Sequence, residues 1–188
     1  PREAHLNYAI RTALGAESLL PFWSENIPAK VEEFMASFNL NSRTRAGSTT
    51  LNAREAAFDS QTNLLEIKIN CTPGRLLFSR TRFEVKPGQA VKLILTNPDA
   101  TPHNLLILQD GTPVESVGMA ANEMAKSPEG AKNDFIPDDT RILHSTRMLA
   151  PHSSDTLRFV APKKPGIYPY LCTFPGHWVL MKGEMVVK

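Results

Sequence analysis

The chain has 188 residues, of which 41% are hydrophobic and 21% are charged, and its formal net charge is +2. These values are typical of a soluble globular protein. The basic residues are dispersed along the sequence rather than clustered, which argues against a nucleic-acid partner. Every apolar run is far shorter than a membrane-spanning helix requires, so the sequence predicts no membrane span.

The beginning of the chain carries no targeting signal. The stretch from Pro1 to His5 lacks the basic start and apolar centre of a signal peptide, and the first residue is not Met. We therefore expect a mature form or a piece excised from a longer protein. The length suits one domain, or one domain with an appendage.

Residues 1–62 are predicted to be a helical N-terminal extension. Apolar residues at helical spacing predict a first helix over residues 2–15. Pro28 suits the first turn of a second helix, and a third short helix is predicted over residues 52–58. These helices are too few to form a core of their own, so we expect their apolar faces to pack against other protein surface.

From about residue 63 the apolar period changes to two, and turn residues recur at strand-like intervals. Residues 114–126 interrupt this pattern and are predicted to be helical. Seven or eight short strands with such connections predict an all-β Greek-key sandwich over residues 63–188. The predicted strands fall near residues 65–69, 77–85, 91–95, 103–109, 141–149, 155–160, 166–172 and 181–187.

The most informative segment lies near the C-terminus, where Cys172, His177 and Met181 fall within ten residues. Pro175-Gly176 between them supplies a tight turn, because proline fixes φ and glycine accepts unusual φ values. His103, at the start of a separate predicted strand, offers a second imidazole. One thiolate, two imidazoles and a weak thioether are the ligands of a blue-copper electron-transfer site.

Other chemistries fit these residues less well. Structural zinc sites normally use closely spaced ligand pairs, and the chain has no C-x-x-C. A binuclear purple-copper centre needs a second Cys in the loop, and a multicopper oxidase needs His at the positions that Leu171 and Thr173 occupy. A Cys172 nucleophile paired with His177 would lack oxyanion donors and a substrate clamp.

The ligand loop and the strands before it resemble those of azurin, in the cupredoxin family. The resemblance implies a cupredoxin domain over residues 63–188, which is a Greek-key β-sandwich of seven to eight strands with an inserted helical flap. Azurin carries a disulfide that this chain cannot form if Cys172 binds metal, and we expect the remaining cysteine, Cys71, to be a small buried hydrophobe. The similar segments are residues 118–120, 137–142, 155–159 and 172–183.

The resemblance also implies a complete metal site. Pro102, where azurin has Gly, precedes the first His, and its carbonyl corresponds to a second weak axial contact. Asn104 resembles an Asn that ties the two ligand-bearing segments together, here through Thr173. The implied ligands of one type 1 copper ion are His103, Cys172 and His177 in the equatorial plane and Met181 on the axis.

A small apolar docking patch is expected beside the copper site, because transient electron-transfer interfaces are small. The outer ring edge of His177 is expected to be exposed there as the route for electrons. The expected partner is a redox protein, such as a c-type cytochrome or a fused haem or dehydrogenase domain. The expected patch residues are Met119, Phe174, Pro175, Trp178 and Leu180, with Val179 beside them.

The resulting hypothesis is a one-electron carrier rather than an enzyme, in a periplasmic or otherwise extracytoplasmic location. Two alternatives remain open: a copper carrier or buffer without redox turnover, and an interaction module of cupredoxin shape. The segment from Asn97 to Asn104 is also similar to azurin-like modules at the C-terminal ends of large bacterial sorbosone-dehydrogenase-like, haem-binding proteins. That second resemblance implies a module of a longer polypeptide.

Overall fold

A computed structural model of the chain describes residues 49–188. The helices predicted over residues 2–15 and after Pro28 lie outside the described residues. The third predicted helix is present as α1, which spans Thr49–Asp59. The division into a 1–62 extension and a 63–188 domain stays a prediction. None of the described helices is both long and apolar enough to cross a membrane.

Within residues 49–188, eight strands form two mixed sheets, which confirms the predicted all-β sandwich of seven to eight strands. The three-stranded sheet has the order β1-β3-β6, and the five-stranded sheet has the order β2-β8-β7-β4-β5. The strands are β1 Leu65–Asn70, β2 Arg82–Val85, β3 Ala90–Asn97, β4 Leu106–Leu108, β5 Ile142–Ser145, β6 Ser153–Val160, β7 Gly166–Leu171 and β8 Lys182–Val187.

The core lies between the two sheets and follows from the alternation of apolar residues. In β3, Val91, Leu93 and Leu95 are fully buried, and the residues between them are only half-buried. Successive side chains of a strand point to opposite faces, so this pattern directs one face of β3 inward. The same core cluster contains residues of the five-stranded sheet, including Ile107 and Tyr170.

A helical flap covers the outer face of the five-stranded sheet, as predicted for residues 114–126. It consists of α2, Val114–Met124, and the short α3, Pro128–Lys132. Gly118 allows α2 to lie close to the side chain of Trp178, since a Cβ at this position would be only 2.2 Å from the Trp178 ring. Both faces of β4 are therefore covered. The second apolar cluster under the flap comprises Leu106, Leu108, Val117 and Leu171.

Ion pairs dock the C-terminal end of α1 onto the three-stranded sheet. Oδ1 of Asp59 accepts from Nε of Arg158 at 2.8 Å, and Oδ2 lies 2.9 Å from Nζ of Lys92. Lys92 and Arg158 are paired across β3 and β6, so one carboxylate meets two neighbouring cations. Hydrogen bonds from Arg158 and then Lys92 hold the pKa of Asp59 well below its usual range.

Asp59→Asn should lower the free energy of unfolding by about 1 kcal/mol near neutral pH, the upper range for accessible ion pairs. The folded-state pKa is depressed, so the contribution is full above the unfolded-state pKa of about 3.9 and is lost as pH falls through the folded-state value. Urea unfolding across the acid range should therefore show the two proteins converging below about pH 4. Asp138→Asn, which removes an exposed carboxylate outside this network, is the control. A stability gap that does not change with pH would contradict the assignment.

Candidate metal centre

Three ligand atoms from two distant parts of the chain meet inside the sandwich. Nδ1 of His103 lies 3.2 Å from Nδ1 of His177 and 3.8 Å from Sγ of Cys172. Nδ1 of His177 lies 3.6 Å from the same sulfur. All three residues are buried, and each offers one atom to a common point. The structure thus brings together the two imidazoles and the thiol that the sequence predicted.

These separations are the ones expected of three atoms that would hold a single metal ion. Bonds of about 2.0 Å to nitrogen and about 2.3 Å to sulfur at trigonal angles would separate the nitrogens by about 3.5 Å and each nitrogen from the sulfur by about 3.7 Å. The three distances in this structure, 3.2, 3.6 and 3.8 Å, lie close to those values. The donor set suits copper, because thiolate favours Cu(I) and imidazole serves both oxidation states.

Met181 is held next to the cluster by the backbone. Its amide N–H donates to the carbonyl of His177 at 2.8 Å, and its carbonyl accepts from the amide of Cys172 at 3.0 Å. The Met181 side chain is fully buried. The backbone therefore holds Met181 opposite Cys172 in the loop.

The loop between Cys172 and Met181 is shaped by one glycine and one helix of the flap. Gly176 has φ +80°, a left-handed value that side-chain-bearing residues rarely adopt. Its N–H donates to Oδ1 of Asn122 in α2 at 2.9 Å. A short 3₁₀ turn, His177–Val179, follows and directs the imidazole inward. Asn122 had no assigned role in the sequence analysis, because helical periodicity does not reveal which loop a helix contacts.

His103 is fixed by a pair of backbone hydrogen bonds outside the regular strands. Its N–H donates to the carbonyl of Leu149 at 3.2 Å, and the N–H of Leu149 donates back at 2.7 Å. The strand predicted over residues 103–109 is therefore shorter, and β4 begins only at Leu106. The isolated bridge holds His103 at the end of the sandwich, where Cys172 follows the last residue of β7.

Asn104 joins the two ligand-bearing segments, as the resemblance implied. Its Nδ2 donates to Oγ1 of Thr173 at 2.7 Å, and its Oδ1 accepts from the amide of Thr173 at 2.7 Å. Nδ2 also donates to the carbonyl of Asp134, which follows the flap, at 3.0 Å. Pro102 is buried beside His103, and the metal contact of its carbonyl stays a prediction.

The expected docking patch needs correction. Phe174, with 1% exposure, and Pro175 lie inside, because the ring of Phe174 packs against Phe135 and lies 4.5 Å from the ring of His177. His177 itself is 1% exposed, so its ring edge does not reach the surface as expected. Trp178 is half-buried against α2. The exposed apolar residues at this end are Met119 at 62%, Val179 at 39% and Leu180 at 58%.

The sulfur of Cys172 lies in an environment that opposes its ionisation until metal arrives. Burial raises the pKa of the Cys172 thiol to about 12, although backbone hydrogen bonds from Asn104 and Phe174 act in the opposite direction. Those two amides stabilise a thiolate, which is the form that binds metal. The other cysteine, Cys71, is fully buried, as predicted for a small hydrophobe.

Asp99 is a buried carboxylate that the sequence analysis did not single out. Its Oδ2 lies 3.1 Å from Nε2 of His103, on the opposite side of the ring from the metal position. Burial alone would raise the pKa of Asp99, but hydrogen bonds from His103, Ala100 and Gly74 outweigh it and hold that pKa below its usual range. The available signal was the Asp-x-x-x-His spacing, which is also common in a polar turn and does not by itself indicate a contact with the ring.

Residues 65–188 match the family described as copper binding proteins, plastocyanin/azurin family. The chain therefore belongs to this family. With the geometry above, His103, Cys172, His177 and Met181 form a type 1 copper site.

The chain is similar to several blue-copper proteins along much of the sandwich. Auracyanin-A of Chloroflexus aurantiacus is 31% identical over 122 residues, which is 65% of this chain and 74% of that protein. Azurin of Pseudomonas aeruginosa is 33% identical over 101 residues, or 50% of this chain and 65% of azurin. A crystal structure of dithionite-reduced auracyanin from Roseiflexus castenholzii is 36% identical with a TM-score of 0.58, covering 65% of this chain and 96% of that one.

Copper binding should release one proton from Cys172 near neutral pH, because the buried thiol with a pKa raised to about 12 must become a thiolate. Calorimetric titration with Cu(II) in buffers of different ionisation enthalpy measures that proton. Copper binding to the Cys71→Ala variant should also release one proton, because Cys71 is not a ligand. Copper uptake without proton release would contradict the assigned protonation state.

Asn104→Ala should lower the free energy of unfolding of the metal-free protein by about 1–3 kcal/mol, because buried partners lose their hydrogen bonds. Loss of copper to a chelator should also become faster, since the two ligand segments are no longer tied. Thr173→Val removes only one of these hydrogen bonds and should have a smaller effect on both measurements. Equal effects of the two variants would rule out the bridging role.

Proposed function

We propose that the protein is a one-electron carrier that passes electrons between redox proteins through its type 1 copper site. Bound copper would supply the redox change by alternating between Cu(II) and Cu(I). The observation that carries the proposal is that the three strong ligand atoms lie within 4.8 Å of one another inside a hydrogen-bonded sandwich. Ligands that keep their positions reduce the structural rearrangement that accompanies electron transfer.

The surface above the site supports contact with a redox partner through an apolar patch, defined here as Met119, Val179 and Leu180. These three side chains are exposed, and Val179 belongs to the same 3₁₀ turn as the ligand His177. A small apolar surface suits brief association, because electron-transfer interfaces are small and exposed apolar patches mark interaction sites. The partner would contact this turn rather than the buried imidazole ring.

The partner we propose is a c-type cytochrome, or a haem or dehydrogenase domain fused to the same polypeptide. A haem protein supplies a one-electron couple that matches a one-electron copper site. In the fused case the chain would be a module of a larger oxidoreductase. We further propose a periplasmic or otherwise extracytoplasmic location, on the basis of the azurin-like resemblance.

The burial of the ligands favours redox turnover over metal delivery. A copper carrier or buffer must offer its ligands to the protein that receives the metal. Here His103, Cys172 and Met181 are 0% exposed, and His177 is 1% exposed. Electrons can cross such a covered site, whereas a metal ion would need the loop to open.

Leu180→Asp should slow electron transfer from a reduced c-type cytochrome on the order of tenfold, because it introduces a charge at the centre of the proposed interface. The copper absorption spectrum should not change. Stopped-flow mixing with the cytochrome measures the rate. Ile167→Asp is the matched control, since Ile167 is also exposed at 45% but lies near the start of β7, away from the metal loop. Equal rates for wild type and both variants would overturn the docking assignment.

A further inference from the structure

Asp99 lies directly behind a copper ligand. Its side chain is 10% exposed, and Oδ2 lies 3.1 Å from Nε2 of His103. The other ring nitrogen of His103 faces the metal position, 3.2 Å from Nδ1 of His177 and 3.8 Å from Sγ of Cys172. The imidazole of His103 therefore bridges a buried carboxylate and the metal site.

The carboxylate of Asp99 is held through both oxygens. Oδ1 accepts from the backbone N–H of Ala100 at 2.7 Å and of Gly74 at 3.2 Å, and Oδ2 accepts from the hydroxyl of Thr101 at 3.2 Å. Gly74 has φ +68°, a left-handed conformation that glycine adopts readily. Together with His103, four donors face the group, and hydrogen bonds to a carboxylate favour its charged form.

Asn97 fixes the turn that carries Asp99. Its Oδ1 accepts from the N–H of Asp99 at 3.0 Å, and its Nδ2 donates to the carbonyls of Thr101, Leu149 and Ala150. Leu149 is also the residue whose backbone pairs with His103. The same buried amide thus contacts both segments that position the His–Asp pair.

We propose that Asp99 is a positioning residue of the copper centre: it fixes His103 with the proton on Nε2 and Nδ1 free for the metal, and its buried charge lowers the reduction potential. The inference rests on the proposed electron-transfer function. An ionised carboxylate only accepts hydrogen bonds, so Nε2 must carry the proton. A carboxylate behind a metal-bound histidine orients the ring and raises its basicity, which favours the more positive Cu(II). The electron comes from the reduced partner, and the Nε2 proton stays in place in both oxidation states.

Voltammetry of Asp99→Asn is the direct test. The variant loses the charge of Asp99 but nearly keeps the shape of the side chain. The ratio of Cu(II) affinity to Cu(I) affinity should therefore fall at least tenfold, which raises the reduction potential by about 59 mV for a one-electron couple. Asp110→Asn is the matched control, because Asp110 pairs with Lys164 and with the N–H of Ile167. Ile167 lies near the start of β7, about 16 Å of strand length before Cys172. Its potential should stay close to the wild-type value. An Asp99→Asn potential no higher than that of Asp110→Asn overturns the proposal.

Thr101→Val provides a second variant with the opposite sign. It deletes one hydrogen bond to Oδ2 of Asp99 but keeps the carboxylate and the side-chain shape. With one competing donor gone, Asp99 should accept more strongly from His103, and the potential should fall below that of wild type. A merely structural role would not move the two potentials in opposite directions. A potential that Thr101→Val leaves unchanged or raises contradicts the proposal.

Nitrogen-15 NMR of the metal-free wild type tests the tautomer without any substitution, at a pH where the His103 ring is neutral. The proton should reside on Nε2, and a proton on Nδ1 overturns the inference. This test remains available if the Asp99→Asn variant fails to bind copper, because it needs only the wild-type protein. The outcomes also separate the two proposals. A wild type without a reversible one-electron couple defeats the proposed function, whereas a normal couple with no response to Asp99→Asn defeats this inference alone.

Discussion

The paired hydrogen bonds between Asn104 and Thr173 are the constraint on which the metal site depends. They join segments 69 residues apart, and each segment carries an adjacent copper ligand. Without that connection, His103 would keep its bridge to Leu149 and its contact with Asp99, and Cys172 would keep its backbone bond to Met181, but the two segments would lose the direct link between them. The ligand geometry is therefore a property of the sandwich and its cross-links rather than of a single loop.

The rest of the fold supports this connection from two sides. The flap contributes Asn122, which holds the turn at Gly176, and the segment that follows the flap contributes the carbonyl of Asp134, which accepts from Nδ2 of Asn104. On the other side, the turn around Asp99 holds the far nitrogen of His103. Each element that touches the site therefore restricts one ligand. For the electron carrier that we propose, this arrangement would keep the ligands in place while the charge of the bound metal changes.

Much of this organisation could be predicted from the sequence. The alternation of apolar residues in β1 and β3 predicted which side chains of these strands point into the core. The Cys-His-Met spacing identified the metal-binding loop, because few chemistries use that donor set. Helix α1 also followed from its local pattern. Such features depend on residues that are close in sequence, so their periodicity or spacing carries the information.

The contacts that could not be predicted depend on tertiary packing. Phe174 and His177 were expected at the surface, but aromatic packing against Phe135 and a tight turn place both inside. Asp99 had the sequence context of an ordinary turn residue, and its spacing of four residues from His103 does not show that the turn directs the carboxylate at the ring. The contacts that complete both features, from Gly74 to Asp99 and from Phe135 to Phe174, come from segments that are distant in sequence, which no local pattern encodes.

A comparison of crystal structures of the metal-free and Cu(II)-bound protein tests the central claim, that the polypeptide itself holds the ligands in place. The account predicts that Nδ1 of His103, Nδ1 of His177 and Sγ of Cys172 occupy the same positions in both forms to within about 0.5 Å, the tolerance of a preorganised site. The account would be contradicted by a metal-free structure in which either imidazole has rotated away from the site. It would also be contradicted by one in which Sγ of Cys172 has moved by more than about 0.5 Å.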